Sequence, residues 1–310
     1  MRDFIGHEAL INNFKQRCLR NTLSHAHLIA GEDGVGKGKL ANILAKFILN
    51  GDLDREYVDI INYSSEKSSF GVDDVRDIIE EVYKKPFEKD KKVIIIYEGN
   101  KLTIQAQNAL LKTIEEPPKG VYIIILCESL GLILDTIKSR CEIYKLKPLT
   151  KSELYEYIKI KKFNYDENEI KSAIAFSEGV PGRIDRYFND DKLRELRNNI
   201  VILIKNLNKN DLEDILQQEE SFSNLKNDKE EVLNIFGLFI RDILINKEIE
   251  NEEFIINSDK LEDIKELTKE MSFKKLNNMI KTIEEARRNI KSNVSWGMTL
   301  RVMLMGFMEG

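Results

Sequence analysis

Gly31-Glu32-Asp33-Gly34-Val35-Gly36-Lys37-Gly38 follows the pattern of a phosphate-binding P-loop at every position except the last. A P-loop normally ends in serine or threonine, whose hydroxyl binds the Mg²⁺ of a nucleoside triphosphate, and glycine has no side chain to do so. The apolar run 28–30 predicts a buried strand before the loop, and apolar residues at helical spacing over 40–48 predict a helix after it. The candidate nucleotide-binding residues of the loop are Gly31, Gly34, Gly36, Lys37 and Gly38.

A nucleotide-hydrolysing site also needs an Asp-Glu pair at the end of a core strand. Of this pair the chain has only the glutamate. The aspartate of the pair supports Mg²⁺, and the glutamate polarises the attacking water. The strand-like run 93–96 is followed by Tyr97 and Glu98, so tyrosine stands where the aspartate belongs. Tyr97 is either an ordinary strand residue in a protein that never bound nucleotide or the mark of a decayed ATPase site. Loss at both Gly38 and Tyr97 favours decay, and it predicts no metal ligands and no intrinsic hydrolysis.

Composition limits the other classes of function. The 310 residues carry a net charge of -5 with 33% charged residues of both signs, which predicts no basic field for autonomous DNA binding. The three cysteines are widely separated, which predicts neither a disulfide framework nor a zinc module. No apolar run approaches the roughly 20 residues that a membrane span requires. We therefore expect a cytoplasmic protein without membrane contact.

The order of the predicted elements divides the chain into three domains. Alternating apolar runs and helical patterns over 1–147 predict an α/β domain with a parallel sheet. Short helices follow over 148–189, and the proline-free segment 190–310 predicts an all-α bundle. Asp73 and Asp74 are the expected N-terminal caps of one helix in the first domain. The predicted elements of that domain are strands over 28–30, 93–96 and 121–126, and helices over 40–48, 73–83 and 103–116.

Four segments resemble those of bacterial sliding-clamp loader subunits, which are AAA+ proteins. The segment 103–118, TIQAQNALLKTIEEPP, is similar to the helix and turn after their acidic motif, and Ser139-Arg140-Cys141 is similar to their SRC motif. His25-Ala26-His27-Leu28 and Phe70-Gly71-Val72-Asp73-Asp74-Val75-Arg76 resemble two further segments of the family. The resemblance is dense to about Phe188 and weak beyond it. The resemblance implies what the three predicted domains are. In chain order they are an AAA+ P-loop domain, a small helical lid domain and a C-terminal helical collar domain.

Within this family the chain is more similar to the delta-prime type of subunit than to the gamma/tau motor. A motor is expected to keep an intact GK[ST] and an Asp-Glu pair, and this chain has neither. The chain also lacks the four-cysteine module that many clamp-loader subunits insert after the P-loop helix, so no zinc is expected. The resemblance therefore implies a non-hydrolysing subunit.

The resemblance also implies roles for three side chains. Arg140 matches an arginine finger that stabilises charge on the γ-phosphate in a neighbouring subunit, and its alternative is an ordinary surface ion pair. Arg183 matches a sensor arginine, which either reports phosphate occupancy or holds two domains together. Glu98 is the retained but inactive glutamate of the acidic motif. The chain is expected to need no cofactor and to bind ATP or ADP weakly or unproductively.

The implied partners are the delta and gamma/tau subunits in a heteropentamer, which reaches the beta sliding clamp and primed DNA. In this assembly, part of the DNA polymerase III holoenzyme, the chain would be a rigid stator during ATP-driven clamp loading in replication. Two alternatives stay open: an active P-loop ATPase of the gamma/tau type and a stand-alone AAA+ ATPase. Both require turnover that Gly38 and Tyr97 argue against.

Overall fold

Contacts between residues divide the chain into two units. A computed structural model describes residues 4–65, 69–209, 222, 225, 228–249 and 251–308. The first unit is Met1–Phe163 together with Gly179–Gly182, and the second is Asn164–Glu178 together with Arg183–Gly310. The residues of the expected lid are therefore shared between the two units, and the boundaries after residues 147 and 189 stay predictions.

The first unit contains a five-stranded parallel sheet. In chain order its strands are β1 (Ala26–Ala30), β2 (Ile60–Tyr63), β3 (Lys92–Ile96), β4 (Val121–Cys127) and β5 (Glu142–Lys145). Across the sheet they lie in the order β2-β3-β4-β1-β5. Strand β4 therefore separates β1, which leads into the P-loop, from β3, which leads into Tyr97.

Helices pack on both faces of this sheet. The helices of the first unit are α1 (Glu8–Leu19), α2 (Lys37–Ile48), α3 (Val72–Tyr83), α4 (Ile104–Glu115), α5 (Asp135–Lys138) and α6 (Lys151–Lys161), with 3₁₀ turns at Gly99–Lys101 and Leu130–Leu132. Successive side chains of β3 point to opposite faces, as in any strand. Ile94 and Ile96 share a buried cluster with α3 and α4, while Val93 and Ile95 share one with α1 and α2. Burial on both faces explains why the inner strands are continuous apolar runs.

The second unit is helical throughout the residues that the structure describes. Its helices are α7 (Glu167–Ser177), α8 (Pro181–Asn189), α9 (Asp191–Lys209), α10 (Lys229–Ile249), α11 (Leu261–Glu270), α12 (Phe273–Lys291) and α13 (Trp296–Met308), with 3₁₀ turns at Glu252–Phe254 and Ser258–Lys260. The first two residues of α8 belong to the first unit. Helices α9 to α13 enclose one apolar cluster, in which Phe236, Phe239 and Phe307 are fully buried. None of the described helices combines the length and apolar content needed to cross a membrane.

Arg197 of α9 is the centre of a buried polar network in the second unit. Its guanidinium donates to both carboxylate oxygens of Asp259, at 2.8 and 3.1 Å, and to the Tyr187 hydroxyl at 2.7 Å. It also donates to Asn257 Oδ1 at 3.0 Å, while the Ser172 hydroxyl donates to Asp259 at 2.7 Å. A buried charge is stable only when it is paired and hydrogen-bonded. The network therefore fixes α7 and α8 to α9 and to the segment before α11.

The structure confirms the predicted strands and helices of the first domain and adds two strands that the sequence did not indicate. These are β2 and β5, the edges of the sheet, which are partly exposed and lack a continuous apolar run. The predicted caps of α3 were wrong. Gly71 is the N-cap, and Asp74, the third helical residue, accepts the Gly71 N–H at 2.9 Å. Asp73 instead pairs with Arg76 at 2.6 Å on the surface.

Candidate functional site

The P-loop connects β1 to α2, and its backbone depends on glycine at two positions. Gly34 has a φ of 80° and Gly36 a φ of 104°, in the left-handed region that strains residues with side chains. The Gly31 N–H donates to the Cys127 carbonyl of β4 at 3.1 Å, which holds the start of the loop against the sheet. Gly36 is the N-cap of α2, so the positive end of that helix dipole lies at the loop.

Lys37, the first residue of α2, folds its side chain back onto the loop. Its Nζ donates to the carbonyl oxygens of Gly31 at 2.8 Å and Glu32 at 2.9 Å. An ammonium group has three donors, so these bonds leave one for a phosphate. The lysine that faces the β- and γ-phosphates in P-loops is therefore present and held by the loop itself.

Tyr97 occupies the space in which the missing hydroxyl side chain would stand. A Cβ placed on Gly38 would lie 2.9 Å from Tyr97 Cε1, closer than packed carbon atoms approach. Asn42 donates to the Tyr97 hydroxyl at 3.3 Å and to the Gly38 carbonyl at 3.2 Å, which fixes the ring beside the start of α2. Burial raises the pKa of the Tyr97 phenol, which keeps its oxygen neutral, whereas Mg²⁺ prefers carboxylates and phosphates. The two departures from the P-loop pattern, at Gly38 and Tyr97, thus form one packed pair that does not fit a magnesium ion.

Gly38→Ala is expected to destabilise the first unit by about 1–3 kcal/mol, because the added methyl group forces the Tyr97 ring out of its packing. The matched control is Gly297→Ala. Gly297 is also the second residue of its helix, and a Cβ placed there meets nothing within 4 Å. The control is expected to stabilise the chain by up to about 1 kcal/mol through helix propensity. Denaturant unfolding followed by far-UV circular dichroism measures both effects.

The same glycine substitution in a Tyr97→Ala background isolates the contact. With the ring absent, the methyl group has room, so Gly38→Ala should no longer destabilise the chain. An equal loss of stability in both backgrounds would contradict the packing of Gly38 against Tyr97.

Two further glycines of the loop are packed against protein atoms. The first is Gly34, which packs against Gly182, a glycine outside the loop. The Gly34 carbonyl accepts the Gly182 N–H at 3.0 Å, and a Cβ on Gly182 would lie 2.7 Å from Gly34 Cα. A Cβ on Gly34 would lie 3.1 Å from Val180 Cγ1, and one on Gly36 would lie 3.2 Å from Phe4 Cε2. Neighbouring protein groups therefore leave little room for a side chain at Gly34 and Gly36, whatever the loop binds.

Glu98, the retained acidic residue, is turned toward a lysine. It has a φ of 52°, which is uncommon for a residue with a side chain, and its carboxylate pairs with Lys101 Nζ at 2.9 Å.

Among the described residues, no group of three or more His, Cys, Asp or Glu side chains is arranged to hold a metal ion. The free thiols of Cys18 and Cys127 are buried, and Cys141 is half-buried. The site has groups for phosphate oxygens but lacks the usual ligands of Mg²⁺ at Gly38 and Tyr97.

Arg140 lies just after α5 on the surface of the first unit, with 35% of its side chain exposed. Its Nη1 donates to the Thr136 carbonyl at 2.9 Å and to Ser139 Oγ at 3.3 Å, and its Nη2 donates to Glu115 Oε1 at 2.7 Å. The surface ion pair considered as an alternative role for Arg140 is therefore present. Such exposed pairs are weak, so this one adds little to the stability of the fold.

Gln107, which the sequence did not single out, fixes the segment that leads to Arg140. Its Nε2 donates to the carbonyls of Leu102 and Leu132, both at 3.1 Å, and its Oε1 accepts the Leu134 N–H at 2.8 Å. These bonds tie α4 to the residues before α5. The sequence did offer a signal for Gln107: it is a polar residue beside Ala106, on the apolar face of the helix predicted over 103–116.

Arg183 belongs to the second unit, whereas the P-loop belongs to the first. Within its unit, the Arg183 guanidinium forms an ion pair with the carboxylate of Glu178. Its roles as a sensor or as a joint between domains stay predictions.

Comparisons with known proteins identify the family. The family model described as DNA polymerase III, delta subunit, matches residues 6–150, and the model for the C-terminal part of that subunit matches residues 192–307. The delta-prime subunit of Bacillus subtilis DNA polymerase III is 26% identical over 309 residues, which cover 94% of this chain and 93% of that protein. The chain belongs to the DNA polymerase III delta-subunit family that these two models describe, and its similarity to a delta-prime subunit extends over nearly its whole length. The predicted family is thus confirmed.

This clamp-loader subunit is also similar to more distant proteins. The replication factor C small subunit of Natronomonas pharaonis is 33% identical over 159 residues, and the match covers 51% of this chain but only 47% of that relative. The chain thus spans about half the length of that relative. The crystal structure of a DNA polymerase III gamma subunit-related protein from Thermotoga maritima has a TM-score of 0.52 and 17% identity, covering 96% of this chain and 98% of that one. This likeness concerns the fold, and it confirms the predicted α/β class with a parallel sheet and C-terminal helices.

Proposed function

We propose that this clamp-loader subunit hydrolyses no nucleotide and supplies Arg140 to ATP bound by a neighbouring subunit. The observation that carries the proposal is the packing of Tyr97 against Gly38, which puts an uncharged ring where two supports of Mg²⁺ are needed. Arg140, in contrast, is exposed and oriented by three acceptors. The chain is then a stator whose chemistry takes place in another subunit.

Arginine suits such a role for a physical reason. Its guanidinium stays charged and presents five N–H donors in one plane. Three of those donors of Arg140 bind Thr136, Ser139 and Glu115, which leaves one on Nε and one on Nη2 for a phosphate. Negative charge on the γ-phosphate oxygens during phosphoryl transfer is what such donors stabilise.

The assembly we propose is a heteropentamer with delta and gamma/tau subunits. It loads the beta sliding clamp onto primed DNA in an ATP-driven step of replication in the cytoplasm. The net charge of -5 suits a subunit that reaches DNA through its partners. The chain itself needs no zinc and no nucleotide, and ATP or ADP at its own P-loop is unproductive.

The purified chain is expected to show no ATP turnover above background, because Gly38 and Tyr97 give Mg²⁺ no support. Phosphate release with Mg-ATP measures this, with Lys37→Ala as the matched variant. Both proteins should give the same background rate.

The rival function is an active ATPase, either of the gamma/tau type or a stand-alone AAA+ enzyme. The retained Lys37 and Glu98 are the observations in its favour. If the purified chain hydrolyses ATP and Lys37→Ala abolishes that hydrolysis, the rival function is supported and the stator function is wrong.

A further inference from the structure

The carboxylate of Glu115 meets the guanidinium of Arg140 on an open surface. Glu115 is the last residue of α4, and its Oε1 accepts a hydrogen bond from Arg140 Nη2 at 2.7 Å. The exposed fraction of the Glu115 side chain is 51%. A pair with this exposure remains open to whatever approaches the face that carries Arg140.

Glu115 stands on a well-anchored helix. The Thr103 hydroxyl caps the start of α4 by accepting the Ala106 N–H at 3.2 Å, and Gln107 ties the middle of the helix to the segment before α5. At the other end, Ile114, next to Glu115, is buried in the core. The backbone of Glu115 is therefore held in place by the fold of the first unit.

We propose that Glu115 is a positioning residue that holds Arg140 in the orientation in which it meets the neighbour's nucleotide, an inference that rests on the proposed function. An arginine side chain has several rotatable bonds, and ordering it has an entropic cost. Without Glu115, the guanidinium keeps acceptors on Nη1 alone, so the whole rigid plane can pivot about Nη1. The negative end of the α4 dipole lies at the same place and adds to the attraction for the guanidinium.

The role of Glu115 should appear in turnover and not in folding. Exposed ion pairs contribute little to stability because water screens them. Orientation of a catalytic group has a larger effect, since a misplacement of about 1 Å can slow a reaction about 100-fold. We therefore expect removal of the Glu115 carboxylate to change the rate of turnover more than the free energy of unfolding.

The test uses the assembled loader with clamp, primed DNA and ATP. At the site that Arg140 reaches, Glu115→Ala is expected to lower kcat about 10-fold and to leave the apparent KM for ATP unchanged, because orientation matters most in the transition state. Glu115→Gln keeps an acceptor oxygen in place and should restore most of the rate. Glu116→Ala is the matched control, since it removes an exposed carboxylate one residue away that has no ion pair with Arg140 among the described residues.

Arg140→Ala separates the possible outcomes. If it lowers turnover and Glu115→Ala lowers turnover only while Arg140 is present, the positioning role stands. If Arg140→Ala lowers turnover and Glu115→Ala does not, or if Glu115→Ala acts equally without Arg140, the positioning role is wrong and the stator function survives. If Arg140→Ala itself leaves turnover unchanged, the proposed function fails, and the role of Glu115 fails with it.

Discussion

Arg140→Ala in the assembled loader is expected to slow ATP hydrolysis by about 1,000-fold or more at the site that this residue reaches, since arginine fingers contribute about 10³–10⁵ to turnover. Alanine leaves the charge that develops on the γ-phosphate without a preorganised donor. Rapid-quench measurements with clamp and primed DNA should therefore lose the part of the ADP burst that corresponds to one site per assembly.

The matched control for this prediction is Arg55→Ala. Arg55 is another exposed arginine of the first unit, and it pairs with Glu88 at 2.6 Å. Its replacement should leave the burst complete. The Arg140→Ala assembly should elute with all its subunits, because an exposed ion pair adds little to the fold. A complete ADP burst from the Arg140→Ala assembly would show that Arg140 takes no part in hydrolysis.

Asp259→Ala is expected to destabilise the second unit by about 3–5 kcal/mol, because it leaves the buried charge of Arg197 without its partner. The side chains of Arg197 and Asp259 are only 5% and 13% exposed. Burial alone raises the pKa of Asp259, but the adjacent Arg197 guanidinium brings it below its ordinary value. The pair therefore stabilises the fold at neutral pH, and this contribution is lost in acid as Asp259 becomes protonated in the folded state.

Trp296 makes this effect measurable within one unit. It is the single tryptophan of the sequence and is buried in the second unit, so its fluorescence in urea follows the unfolding of that unit. Asp263→Ala is the control, since Asp263 pairs with Lys205 at 2.8 Å nearer the surface and its loss leaves Lys205 paired with Glu266. The control should change the free energy of unfolding by less than about 1 kcal/mol. Similar losses in the two variants would mean that the Arg197 network does not hold the unit together.

The interior of the sheet could be predicted because its cause is local. A continuous run such as 93–96 is apolar at every position, and only a strand buried on both faces needs that pattern. The edge strands at 60–63 and 142–145 have one neighbour each and mixed residues, so their pairing depends on the rest of the sheet. Their absence from the sequence-based prediction follows from that dependence.

The candidate site divides in the same way. The P-loop and Arg140 could be found because their motifs are contiguous in the sequence. The contact of Gly38 with Tyr97 joins two separate elements, and nothing in the local pattern distinguishes Glu115 from Glu116 as the partner of Arg140. Such pairings are set by the path of the chain in space, which the sequence pattern does not contain.

The contact between Gly38 and Tyr97 makes the residue tolerated at each position depend on the residue at the other. Serine at position 38 alone would collide with the ring, and aspartate at position 97 alone would leave a gap and an unpaired charge in a half-buried place. Each single change lowers stability, so only the two changes together lead toward a metal site without that loss. Any route to hydrolysis that changes one position at a time therefore passes through a less stable protein.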